Sequence, residues 1–237
     1  MSFANPKPQN PATKFIEFKG DLGVFRYYVK PEKEGEEGQN IEVPYPVKFI
    51  VIDELSTITG FNDANKCGIY SNEIHNIKET LSVRTFKGKE GVMGVYGEIK
   101  GDIKAMGGKY TKSVYALMIT DGKPELVNFK VKGSFLNAWI EAGIDTDKQG
   151  ILIEACDRKK KGTNAYFEPI VKSFTPEDYD KTLRVSMKYY NILKQYFDQK
   201  KHYTDEQAVV AEETQEVFDK EGNLNEPALT QDDDLPF

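Results

Sequence analysis

The sequence predicts a mainly β domain, a small coiled barrel with extra strands, followed by one long helix and an acidic tail. Three observations predict it. Short alternating or compact apolar segments recur between residues 13 and 174. Gly94, Gly97 and Gly101 interrupt one of them, as bulges and tight bends do in a strongly curved sheet. Charge is divided unevenly: residues 204–237 hold eleven acids and one base, Lys220, a net −10, which leaves +4 on residues 1–203 of a chain whose total is −6. A mildly basic body on a strongly acidic arm is the pattern of an anion-binding domain with an interaction tail.

Residues 1–12 are polar, rich in Pro and Asn, and read as a flexible arm. Strands are expected at 14–18, 24–29 and 47–52, with a loop at 31–40. Residues 80–86 alternate cleanly, and 92–103 read as a further, glycine-broken strand. Gly107-Gly108 turns the chain into a strand at 110–120, and Asp121-Gly122 marks a hairpin into 126–131. Residues 134–142 carry Phe135, Leu136, Trp139 and Ile140 and read as a short helix. A strand pair at 151–156 and 165–174 flanks a basic loop at 157–164. A long helix is predicted at 175–203. Thr175 supplies an N-cap, Pro176 takes the first position, and Glu177 and Asp178 favour the positive end. Tyr179, Leu183, Met187, Tyr190, Leu193 and Phe197 form its apolar stripe, read as a docking face. Residues 207–218 suit a weak helix, and 221–237 lack any periodicity and read as disordered.

The strand-rich region interleaves cations with aromatics. Candidates for a polyanion with exposed bases are Arg84, Phe86, Lys87, Tyr96, Lys100, Lys104, Lys109, Tyr110, Lys112, Tyr115, Lys130 and Lys132. Arg158, Lys159, Lys160 and Lys161 follow, with Tyr166 behind them. Cations track phosphates, and aromatic faces stack on bases of any identity, each stacked base contributing roughly 1–3 kcal/mol. Aromatics in strands are more often core, so each tyrosine carries both readings.

The chain ends Asp232, Asp233, Asp234, Leu235, Pro236, Phe237. Three acids steer toward a basic-rimmed pocket, the Phe237 ring fills it, and its terminal carboxylate pairs with an arginine. Pro236 limits the entropy lost on docking. This ending resembles the acidic C-terminal tip of bacterial single-stranded DNA-binding proteins, and of bacteriophage single-stranded DNA-binding proteins whose tails end in an aromatic. The match covers about six residues. The body is longer than the bacterial pattern, carries the 175–203 helix, and is not followed by a long Gly/Gln-rich linker, which points to a phage-type or divergent member. The resemblance implies an OB-fold-like barrel within residues 13–203, and sequence-independent single-stranded DNA binding and protection in replication, recombination and repair. It implies partner proteins recruited through residues 232–237, and a cytoplasmic location, in the bacterial host if the protein is phage-encoded. Two alternatives stay open: a single-strand annealing or recombination mediator, and a decoy that captures host repair enzymes through the tail.

No catalysis, cofactor or metal is expected. His75 and His202 are the only histidines, and Cys67 and Cys156 the only cysteines, read as reduced thiols. No phosphate-binding loop or nucleophile elbow occurs. No apolar run approaches the ~20 residues of a membrane span, and no secretory signal is read at the N-terminus.

Overall fold

The computed structural model describes residues 8–31, 33, 37–86, 91–120, 123–147 and 149–217. Two units are distinguished. Residues 11–191 hold every strand; residues 1–10 and 192–237 make the other, described at 8–10 and as helix from 192 to 217.

In the first unit, β1 (Lys14–Lys19), β2 (Val24–Val29) and β3 (Gln39–Val43) form an antiparallel meander. β4 (Val47–Asn62) is the longest strand and the spine of the sheet. The chain then zigzags through β5 (Cys67–Ser71), β6 (Thr80–Thr85) and β7 (Gly91–Val95) before α1 (Tyr96–Met106). β8 (Gly108–Thr120) returns antiparallel along β4, and β9 (Lys123–Val131) pairs back on β8. α2 (Ser134–Ala142) leads to the hairpin β10 (Gly150–Lys161) and β11 (Asn164–Phe174), and α3 runs over Tyr179–Val217. The strand order is β3-β2-β1-β9-β8-β4-β5-β6-β7, with β1 parallel to β9, β10 also on β4, and β11 on β10. Among the described residues the sheet does not close by strand pairing. One backbone hydrogen bond, from the Phe167 N–H to the Gly20 carbonyl at 2.6 Å, ties β11 to the β1–β2 turn.

Both hydrophobic cores lie on one face of this sheet. The larger gathers Phe18, Phe25, Phe49, Phe129 and Phe135, with Trp139 of α2 packed on it. Phe49 and Phe129 stack at 4.3 Å between ring centres, and Phe25 meets Phe129 edge-on at 6.2 Å. The smaller joins Ile58, Ile69, Leu81 and Val83 to Ile99 and Ile103 of α1. A bulge between Val51 and Asp53 lets one strand serve both. Before it the odd residues Val47 and Phe49 point inward; after it the even residue Ile58 does. One extra residue shifts the two-residue alternation by one, so the inward face continues unbroken.

Four expectations are corrected. Residues 92–103 are not one strand: β7 ends at Val95 and α1 follows. Tyr96, Ile99, Ile103 and Met106 recur at three and four residues and pack on the smaller core, while Gly97 and Gly101 are exposed. Helical burial outweighs the glycines' poor propensity. The basic segment is not a loop at 157–164, because β10 continues to Lys161 and only residues 162–163 turn, Gly162 having φ 63°. The long helix starts at Tyr179, not Thr175: Asp178 caps it, its Oδ1 accepting the Lys181 N–H at 2.9 Å. It ends at Val217 rather than at residue 203, so the separate helix expected at 207–218 is its continuation, with Phe218 outside the described residues. β3 and β5 had no counterpart in the sequence reading.

Candidate nucleic-acid interface

The face opposite the two cores follows from register alone, because directly paired residues share a face. Across β1-β9-β8, Phe15 pairs with Asn128 and Asn128 with Tyr115; one row further, Glu17 pairs with Lys130 and Lys130 with Ser113. Further along the same face, Lys109 pairs with Thr59, Thr59 with Tyr70, and Tyr70 with Arg84. Phe61 pairs with Gly68, and the Phe86 N–H donates to the Gly68 carbonyl at 2.8 Å, which makes Phe86 the next residue in that row. One outward face thus carries Phe15 and Lys130 at one end and Phe61, Tyr70, Arg84 and Phe86 at the other.

The β5–β6–β7 end of this face is bare. Phe86 is 79% exposed, and Phe61, Tyr70 and Met93 are each near half exposed or more. Neither Phe61 nor Phe86 contacts another ring among the described residues. Three large aromatic side chains and a methionine stand in water, on a strand surface whose other side is packed by the smaller core; exposed apolar clusters of this kind are what interaction surfaces carry. Arg84 donates only to Ser82 Oγ, at 3.3 Å, and Lys109 has no ion-pair partner among the described residues. Cations and aromatics therefore alternate here within one strand spacing of each other.

The middle of the face is different. Tyr115, Ser113 and Asn128 are fully buried and joined in a polar network centred on Glu73. Glu73 accepts from the Ser113 and Tyr115 hydroxyls and sits 3.4 Å from Lys130 Nζ, which also donates to Ser113 Oγ at 3.0 Å. The Tyr115 ring is thus unavailable for stacking. Lys132 is 3.4 Å from Glu17, whose other oxygen takes Lys19 at 2.6 Å. Burial opposes the charge on Glu17, but the hydrogen bonds and positive charge of Lys19 and Lys132 outweigh it and hold its carboxyl below the ordinary range. A carboxyl lowered in the folded state contributes stability at neutral pH that is lost as pH falls below about 4.5. The difference in melting temperature between wild type and Glu17→Gln should therefore be largest at pH 7 and shrink by pH 3. An unchanged difference across that range contradicts the assignment.

Several predicted residues lie elsewhere. Tyr96 and Tyr110 face the smaller core, with ring centres 5.2 Å apart. Lys112 points to the inner face, where it pairs with Glu54, which also accepts from Trp139 Nε1 at 3.0 Å. Lys100 and Lys104 are exposed on α1, which covers the inner face, and so stand on the opposite side from Phe61 and Phe86. In the β10–β11 hairpin, Arg158 and Lys160 share one face, and Lys159, Lys161 and Tyr166 the other. Lys159 pairs with the buried Glu168 carboxylate, whose hydrogen bond raises its pKa. Arg158, Lys160 and Lys161 are exposed and have no ion-pair partner among the described residues. Lys87 and the terminal residues Asp232 to Phe237 lie outside the described residues.

Phe61, Tyr70, Met93 and Gly68 are not among the residues that the sequence marks. Residues 61, 68 and 70 lie between the strands expected at 47–52 and 80–86. Only the pairing of β4 with β5 and β5 with β6 brings them beside Arg84 and Phe86. The exposed stripe on α3, Tyr179, Leu183, Met187 and Tyr190, borders a shallow cleft against Ile50, Val51 and Ile52, and Tyr189 Oη fastens the helix by donating to the Pro124 carbonyl at 3.0 Å.

Among the described residues no group of three or more His, Cys, Asp or Glu side chains is placed to hold a metal ion, and no helix is long and apolar enough to cross a membrane. Cys67 and Cys156 are free thiols. No family model matches the chain, and neither does any curated protein or solved structure.

Proposed function

We propose that this protein binds single-stranded DNA without sequence preference, protects it during replication, recombination and repair, and recruits partner proteins through its acidic last residues. The observation that carries this reading is the outward sheet face, where Phe61, Tyr70 and Phe86 stand bare beside Arg84 and Lys109. Aromatic planes for bases and cations for phosphates are what a single strand of arbitrary sequence requires. Duplex DNA hides its base faces and offers such rings nothing.

The connectivity supports an OB-fold reading of the domain. β4, β8 and β9 form a meander, α2 follows, and β10 returns to β4 before pairing with β11. That is five strands with a helix between the third and the fourth. β1–β3 are then an addition beside β9, and residues 63–107 an insertion between the first two strands. OB-folds take oligonucleotides on the second and third strands and on the loops joining strands one to two and four to five. In this chain those places hold Lys130 and Lys132, the Phe61–Phe86 lobe, and Arg158, Lys160 and Lys161. The chemistry needs no cofactor. The terminal Asp232, Asp233 and Asp234 would compete for the cationic face when DNA is absent and be released when it is occupied.

Fluorescence anisotropy of labelled oligo-dT tests the reading. The full chain should bind tightly and lose affinity steeply with salt, and duplex competitor should not displace it. A variant lacking residues 232–237 should bind more tightly at low salt. Absence of binding by both at low salt would overturn the proposal.

Glu73 gives a sharper expectation. Its carboxylate occupies the cation that phosphate would otherwise meet at Lys130. Glu73→Gln keeps the hydrogen-bond acceptor for Ser113 and removes the charge. Affinity for oligo-dT should rise, and the salt dependence should steepen by roughly 0.7 in log–log slope, one further phosphate contact. An unchanged slope would place the strand away from Lys130.

A further inference from the structure

Gly68 has no structural reason to be glycine. It lies inside β5, paired directly with Phe61, and the register on either side of it is regular, so it marks no bulge. Its φ is not in the left-handed region. A Cβ built there meets no atom within 4 Å, so no close approach of the chain excludes a side chain. Glycine in a strand interior is less stable there than alanine, because it loses more backbone freedom on folding. A strand glycine with neither bend nor contact marks a place where something from outside approaches closely.

Phe61 and Phe86 flank it. The three residues form one row across three strands, with the two rings on either side of the empty position and both exposed to solvent. Neighbouring strands are ~4.8 Å apart, so the stems of the two rings stand roughly 10 Å apart across Gly68. Stacked bases rise ~3.4 Å. A span of roughly 10 Å is about three such steps, so two stacked bases fit between the two rings, with Gly68 as the floor on which their edges rest. In the next row, Tyr70 and Arg84 are paired directly, which puts a guanidinium within reach of the phosphate between those bases.

We infer that Phe61, Gly68 and Phe86 form a slot that takes two adjacent nucleobases, of either purine or pyrimidine type, with Arg84 on the phosphate between them. This rests on the single-stranded DNA reading above and deepens it. The slot lies where the end of β4 meets the β5–β7 insertion rather than on β8 and β9, so it would hold the strand where it leaves the central face. A π-face is common to every base, and the floor of the slot presents only Gly68, with no side chain to read a base edge.

Gly68→Val tests it. Valine suits a strand and enters open space, so the melting temperature should hold or rise. Affinity for oligo-dT should fall about 5- to 150-fold, the loss of one of the two stacked bases. An oligomer of the same length with abasic sugars throughout keeps every phosphate and should bind wild type and Gly68→Val equally. Gly68→Ala adds one methyl, preserves the measurement if valine disturbs pairing, and should give a smaller fall in the same direction. If wild type binds oligo-dT and both variants bind it as tightly, the slot is wrong and the coat function stands. If the abasic oligomer loses affinity as much as oligo-dT, the substitution acts on the fold or on phosphates and the slot is likewise wrong. If wild type does not bind oligo-dT, both fall together.

Discussion

Replacing Phe61 and Phe86 together by alanine should weaken binding to oligo-dT on the order of 30-fold or more, while the protein unfolds at nearly the same temperature. Each truncated stacking ring is expected to remove roughly 1–3 kcal/mol of affinity. Both rings are largely in water, so their loss should leave stability within about 0.5 kcal/mol. The pairing of results is what discriminates. A core aromatic would lower stability first and binding only through it. Isothermal titration with oligo-dT, beside thermal unfolding followed by circular dichroism, reads both. A double variant that binds within twofold of wild type would remove the β5–β7 lobe from the interface and leave the strand to β8, β9 and the β10–β11 hairpin.

Phe129→Ala should do the reverse. Its ring is fully buried, stacked on Phe49 and edge-on to Phe25, at the centre of the larger core. Truncating such a side chain removes its transfer free energy and leaves a cavity, together about 3–5 kcal/mol. Domains of this size have total stabilities of about 5–15 kcal/mol, so the variant should be marginal at 37 °C. Urea unfolding should show a much lower midpoint, and the folded fraction at low temperature should still bind oligo-dT at wild-type affinity. A loss below 1 kcal/mol would mean that the Phe25–Phe49–Phe129 cluster is not the centre of the core.

The two results separate what this sheet does on its two sides. Inward, Phe18, Phe25, Phe49, Phe129 and Phe135 bind the sheet to α2. Outward, Phe15, Phe61, Tyr70 and Phe86 stand exposed to water. Composition cannot tell these groups apart, because they are the same residue types in the same kind of segment. The side each takes depends on parity within a strand, and parity within β4 changes at the bulge between Val51 and Asp53. Counting outward from Phe49 by twos along the sequence puts Phe61 with the core; the extra residue reverses it.

Much was nevertheless legible locally. Alternation placed β1, β2, β6, β8 and β9 within a few residues, Asp121-Gly122 placed the β8–β9 hairpin, and the spacing of Phe135, Leu136 and Trp139 placed α2 at its observed bounds. These are signals carried within ten residues, where turn chemistry and period decide the conformation. The failures have a common cause as well. Gly97 and Gly101 read locally as strand bends, whereas in the molecule Tyr96, Ile99 and Ile103 recur at helical spacing and are held by burial against the smaller core. Arg158, Lys159, Lys160 and Lys161 looked like a loop because four cations in succession have no strand propensity to offer; β11 supplies the pairing that keeps them extended.

By itself, then, the sequence determined that this is a mainly β body with a helix after it, a charge division of +4 against −10, and an acidic ending on an aromatic. Those properties are local or additive, and residue types suffice for them. The tertiary structure alone decided which aromatics are core and which stand on the open face. It buried Tyr115 beneath Glu73, turned Lys112 inward to Glu54, and brought Phe61, Gly68 and Phe86 into one row. Each of those outcomes rests on pairing between strands distant in sequence, where register and a single bulge determine the face that every side chain presents.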